Sequence, residues 1–177
     1  MSAPILVAYA TRYGSTEEVA KAVGAVLREQ GLEVEVRPAR QVSAIEMYSA
    51  VVLGAPFYVG RWHKEALDFL AKYSRTLAER PLAIFALGPL HDDENEWQDA
   101  NDQLGKELAS FPGLSPLTLK VFGGKYDKAT LHLPDRLISF LPDTPLKNMP
   151  STDLRDWKVM NTWAGSLAVK LQPALKP

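Results

Sequence analysis

The chain has 177 residues, with 21 acidic against 20 basic side chains and a net charge of −1, a balance that signals neither nucleic acid nor an anionic membrane as a partner. It contains no cysteine, which excludes disulfides, thiol catalysis and cysteine-ligated iron–sulfur or zinc centres. The length suits one domain with a sizeable core. No apolar run approaches the roughly 18 residues that span a bilayer, and the N-terminus lacks the charged region of a signal peptide, so a soluble, cytoplasmic protein is expected.

Ile5 to Tyr9 is continuously apolar and reads as a strand buried on both faces. It runs into Thr11-Arg12-Tyr13-Gly14-Ser15-Thr16 and then into a helix, where Ser15 and Glu18 have the spacing of a capping box with Ser15 as N-cap. A helix N-terminus offers unpaired N–H groups and the positive end of its dipole. With the hydroxyls of Thr11, Ser15 and Thr16 and the small Gly14, this loop can surround a phosphate. It holds no lysine, which suits a monoester held by hydrogen bonds rather than one being transferred. Strand, polar turn and capped helix also open many α/β proteins, so the hydroxyls have a cap-only reading beside the phosphate one. Neither Gly-x-x-x-x-Gly-Lys-Ser/Thr nor Gly-x-Gly-x-x-Gly is present.

Val19, Ala20, Val23, Val26 and Leu27 recur at helical spacing, and Gly31 stops that helix. Leu32 to Arg37 alternates, as a strand with one wet face does. After a polar connection, Ala50 to Ala55 is a second continuous apolar strand, followed by a loop from Pro56 to His63. A helix carries Ala66, Leu67, Leu70, Tyr73 and Leu77 on one face, and Leu82 to Leu87 is a third apolar strand. An acidic loop from Gly88 to Trp97 precedes a helical segment around Asn101 to Ser110. Leu117 to Phe122 alternates again, the pattern from Lys125 to Pro150 is poor, and a final helix is expected from near Asp153, carrying Met160, Trp163, Ala164, Leu167, Ala168 and Leu171.

Five strands alternating with helices predict an α/β three-layer sandwich, a parallel sheet with helices on both faces. The apolar first, third and fourth strands belong at the centre and the alternating second and fifth at the edges. The order 2-1-3-4-5, the flavodoxin-like winding, satisfies all five, and its ligand crevice lies at the carboxyl ends between the first and third strands.

At that crevice, Pro56, Phe57, Tyr58, Val59 and Gly60 offer aromatic surface and a glycine free to turn its peptide, which is what a flavin ring and its N5 atom require of a protein. Gly60 is the expected N5 contact. Arg61 is either a charge partner for phosphate or flavin, or a surface residue, and His63 begins the next helix. The backbone of Gly88, Pro89 and Leu90 is expected at the ring's polar edge, with Trp97 covering one face. Acids from Asp92 to Asp99 would surround the ring with negative potential or simply face water. No catalytic side chain and no metal site is expected.

The first loop resembles the flavodoxin phosphate loop, Thr/Ser-x-Thr-Gly-x-Thr: Thr11, Gly14, Ser15 and Thr16 match, and Tyr13 stands where the middle hydroxyl residue belongs. Gly54-Ala55, Tyr58, Gly60, His63, the stretch Phe122-Gly-Gly-Lys-Tyr126-Asp127 and the late Asp156-Trp157 extend the resemblance to the flavodoxin-domain family that includes quinone-dependent protoporphyrinogen dehydrogenases. The resemblance implies a single flavodoxin-like domain over 1–177 with FMN as cofactor and an insert at about 126–150. It implies electron transfer to a partner protein or quinone, or, as the alternative, protoporphyrinogen oxidation. The insert balances Lys128, Arg136 and Lys147 against Asp135 and Asp143, and carries Leu133, Leu137, Ile138 and Leu141 at helical spacing. Near-balanced charge makes membrane association the weaker, at most peripheral, expectation. A phosphorylated receiver module shares the winding but needs an acidic pair after the first strand and an aspartate after the third; Ala10-Thr11 and Gly54-Ala55 stand there instead. A cofactor-free interaction module is the remaining alternative. Electron donor, acceptor and oligomeric state are left open by the sequence.

Overall fold

The computed structural model describes residues 3–132, 134–135 and 149–174. In chain order its elements are β1 (Ile5–Tyr9), α1 (Ser15–Glu29), β2 (Val34–Pro38), β3 (Ala50–Tyr58), β4 (Arg61–Trp62), α2 (Lys64–Ala78) and β5 (Leu82–Leu87). Then follow α3 (Glu94–Ala109), β6 (Thr118–Phe122), β7 (Lys125–Tyr126), β8 (Thr152–Asp153) and α4 (Trp157–Ala174). The parallel sheet runs β2–β1–β3–β5–β6. Its five long strands therefore lie in the 2-1-3-4-5 order expected from their apolar patterns. Ile5 pairs with Val34 on one side and Ala50 on the other.

Side-chain alternation along the central strands builds two cores. Leu6, Ala8 and Leu53 face one, under α2 and α3, with Ala66, Phe69, Leu70 and Leu104. Ile5, Val7, Tyr9 and Phe85 face the other, under α1 and α4, with Val19, Val23, Leu27, Met160, Ala164 and Leu167. Two buried faces explain why β1, β3 and β5 read as unbroken apolar runs rather than alternations. Gly54 pairs with Phe85 across the sheet, and a Cβ on Gly54 would fall inside the Phe85 ring. That ring takes the volume a side chain on β3 would need.

Besides shifts of one or two residues at the ends of β2 and β6, element boundaries depart from expectation at four places. β3 continues to Tyr58 rather than ending at Ala55, because Phe57 and Tyr58 pair with Trp62 and Arg61 of β4 in a hairpin. Gly14, not Ser15, occupies the N-cap of α1, at a left-handed φ of 88° and with no side-chain cap, so Ser15 falls inside the first turn. α3 begins at Glu94, well before Asn101, since the Asp93 carboxylate caps it by accepting from Asn95 N and Glu96 N. Glu94 and Glu96 thus sit in a helical first turn, where the dipole favours them, rather than in a loop. α4 begins at Trp157, not near Asp153: Thr152–Asp153 pairs with β7, and Asp156 Oδ1 accepts from Val159 N at 3.0 Å. Leu133, Leu137, Ile138 and Leu141 lie outside the described residues.

Candidate functional site

Three connections converge at the carboxyl ends of β1, β3 and β5. In the first, Gly14 N donates to Thr11 Oγ1 at 2.9 Å, closing a tight turn whose positive φ glycine meets at no steric cost. Thr16, one residue into α1, is fully buried, and its Oγ1 has no hydrogen-bond partner among the described residues. A buried hydroxyl without a partner costs about 1–3 kcal/mol, and this one sits at a helix N-terminus with open space over Gly14. The hydroxyls of Thr11, Ser15 and Thr16, with the room left over Gly14, therefore fit a phosphate.

The second connection is the hairpin turn Val59-Gly60, with φ of 50° and 70°. Positive φ at both corners is what a type I′ turn requires. For the β-branched Val59, 84% exposed, this is strain. The hairpin is rooted by Trp62, whose buried Nε1 donates to Ala55 O at 3.0 Å. Pro56, Phe57 and Tyr58, expected in a loop, are thus held on a strand. In the third connection Gly88 N donates to Phe122 O and Gly124 N to Pro89 O, while Leu90 N donates to Glu96 Oε1 at 2.7 Å. Gly88 packs on Phe57: a Cβ there would meet the ring at 3.0 Å.

Asp135 joins the first two connections. It is 3% exposed and accepts from Arg12 Nη2 at 2.6 Å and Nε at 2.9 Å, from the Tyr58 hydroxyl at 3.0 Å and from the Tyr13 hydroxyl. Arg12 also lies 4.2 Å from the centre of the Tyr58 ring, and His132 Nε2 approaches Arg12 O at 3.0 Å. Burial alone would raise the Asp135 pKa, but the hydrogen bonds from Tyr13, Arg12 and Tyr58 outweigh it and hold the carboxyl below its ordinary value. Burial, then the bond to Asp135, pushes Tyr13 up to about 12. Burial and Asp135 raise Tyr58 likewise. Arg12 is thereby neutralised within the protein rather than aimed at an anion.

The expected residues do not all gather. Thr11 to Thr16, Pro56 to Gly60 and Gly88 to Leu90 stand at one end of the sheet. Trp97 packs against the core beneath α3 and lines a cavity of about 430 Å³ with Asp92 of the third connection, Lys120, Phe122 and Asp156, none of whose lining residues belongs to the first connection. Arg61 lies 3.6 Å from Glu107 on α3, as a surface residue, and His63 caps α2 by accepting from Glu65 N. Burial lowers the His63 pKa.

Two residues packed against the first connection and α1 carry no mark in the apolar pattern of the sequence. Asp135 entered only as one charge of the insert, since nothing in its spacing marks it as buried. Arg155, its side chain 3% exposed, bridges Asp153 and Glu18 at 2.7 Å each and reaches Ser15 O at 3.4 Å, tying the approach to α4 onto the first turn of α1. Its place between Asp153 and Asp156-Trp157 was the available signal.

A family model described as a flavodoxin domain matches residues 6–141. Over 84 residues the chain is 29% identical to protoporphyrinogen IX dehydrogenase (quinone) of Escherichia coli, covering 46% of this chain and 46% of that protein. The chain thus spans about half the length of the curated relatives it matches. Among solved structures, a flavodoxin from the domain Archaea is similar at a TM-score of 0.58 and 14% identity, over 96% of this chain and 99% of that one. Flavodoxin 1 of Bacillus cereus is similar at a TM-score of 0.56 and 21% identity, over 94% and 97%. The match to the family model spans the sheet and all three convergent connections, and the chain belongs to the flavodoxin-domain family.

Proposed function

We propose that this chain is a single flavodoxin-like domain, with an insert at about 126–150, that binds FMN and passes electrons between a donor and a protein partner or a quinone. The observation that carries the reading is the buried Thr16 hydroxyl, without a partner among the described residues, at the N-terminus of α1 in a chain of this family. A phosphate monoester supplies the acceptor that this hydroxyl and the neighbouring N–H groups lack. The absence of a dinucleotide fingerprint favours FMN over FAD.

When bound, FMN supplies one- and two-electron exchange at its ring; the chain's own residues bind and orient. Thr11, Ser15 and Thr16 hold the phosphate. The Arg12–Asp135–Tyr58 cluster fixes the first connection against the hairpin. Pro56 to Gly60 and the backbone of Gly88 to Leu90 would flank the ring, and the strained Val59-Gly60 turn would supply the peptide that contacts it. Strain kept in an exposed turn supports a functional role for that turn. No described helix is long and apolar enough to cross a membrane, and we take the protein to be cytoplasmic, with membrane contact at most peripheral.

Flavin released from the purified protein and identified by chromatography tests the reading: FMN is expected, whereas FAD, or no uptake of added FMN, overturns it. The Escherichia coli relative favours a second reading, protoporphyrinogen oxidation. Oxidation of protoporphyrinogen by the FMN-loaded protein with a quinone acceptor would establish it, and its absence alongside electron transfer to other acceptors would remove it.

A further inference from the structure

A small cavity of about 60 Å³ lies beside the first turn of α1, lined by Tyr13, Ser15, Glu18, Lys125 and Tyr126 among others. Tyr126, on β7, is 7% exposed, and its hydroxyl is the second buried side-chain polar atom with no partner among the described residues; the other is Thr16 Oγ1. A phenol kept buried in this way demands an acceptor, and the void it lines borders the helix terminus where the proposed phosphate sits. The volume admits a water-sized group or a phosphate oxygen.

Charge permits an anion there. Glu18 is paired with Arg155 at 2.7 Å, and Asp127, also on the lining, is turned to the backbone N–H of Ala129 at 2.9 Å. Lys125 brings a cation to the cavity, whereas the cation of the loop from Thr11 to Thr16, Arg12, is paired with Asp135. The Arg155 contacts to Ser15 O and Glu18 hold α1 against the segment entering α4, so that the first turn and the β7–β8 ribbon form one wall.

We propose that the Tyr126 hydroxyl is a further ligand of the cofactor phosphate, donating one hydrogen bond to the monoester from outside the phosphate loop. The proposal rests on the FMN reading and adds to it a residue from the start of the insert. It explains why the loop tolerates Tyr13 at the place of a small hydroxyl residue: the donor lost there is returned by Tyr126.

Tyr126→Phe removes the hydroxyl and keeps the ring in place. FMN and riboflavin, which lacks the phosphate, are titrated into wild type and variant by flavin fluorescence, and the melting temperature of each apoprotein is recorded. FMN affinity is expected to fall about tenfold, the size of one hydrogen bond to a charged group, with riboflavin affinity unchanged and apoprotein melting no lower. Unchanged FMN affinity overturns the proposal and leaves Tyr126 a packing residue whose hydroxyl holds water. Equal losses for FMN and riboflavin, or a lower melting temperature, also overturn it. A wild-type protein that takes up no FMN overturns the functional reading itself, and this inference with it.

Discussion

At the scale of single residues, the site is marked by what lacks a partner and by what is strained. Thr16→Val keeps the β-branched shape and removes the hydroxyl. FMN affinity should fall by about 1–2 kcal/mol while apoprotein stability stays level or rises, because the lost group is unsatisfied in the free protein. Calorimetric titration with melting curves checks this, and reduced stability with unchanged affinity would restore the cap-only reading. Gly60 has open space around a hypothetical Cβ but a φ of 70°, so Gly60→Ala meets backbone strain of about 1–2 kcal/mol and no clash. If the peptide before Gly60 faces N5, the variant should change the separation of the two one-electron potentials more than it changes FMN affinity. Redox titration followed by visible absorption measures this; identical potentials would leave Gly60 a turn residue only.

At the scale of elements, Asp135 ties the start of the insert to the phosphate loop through Arg12 and Tyr13 and to the β3–β4 hairpin through Tyr58. Its folded-state pKa lies below the ordinary value of 3.8. The ionised form is therefore favoured by folding: the contribution is complete above that ordinary value and is lost as pH falls through the depressed folded-state pKa. Asp135→Asn should lower stability near neutral pH by about 2 kcal/mol and flatten the acid side of the melting-temperature profile. A profile parallel to wild type would show that the cluster contributes nothing to acid sensitivity. Such a tie is not legible in sequence, because its partners are separated by more than 120 residues for Arg12 and 77 for Tyr58, and no periodicity links them. The strands were legible, since burial on one face or two writes itself into alternation or its absence. The starts of α3 and α4 were not, because Asp93 and Asp156 cap helices amid other acids, where a carboxylate that caps looks the same as one that faces water. The end of β3 was hidden by Pro56, which the hairpin accommodates.

At the scale of the whole molecule, the sheet order places the ends of β1 and β3 side by side, so loops separated by some 45 residues meet through Tyr9–Gly54 pairing and the Ala10 N–Gly54 O bond of 2.9 Å. The two cores hold that edge rigid, which leaves chemistry to the connections above it. Along the chain, β1, the hydroxyl-rich loop and the winding were all readable because each follows from local pattern. The packing of Asp135, Tyr126 and Arg155, which arrive late in the chain, beside the first connection and the first turn of α1 was not. On the proposed function this edge encloses a terminal phosphate monoester. This is tested most directly by titrating the apoprotein with FMN and with FAD under the same conditions. Saturable binding of one FMN per chain is expected, with far weaker binding of FAD, whose phosphates are bridged to adenosine and cannot enter as a monoester. FAD binding as tight as FMN, or no binding of either, would contradict it.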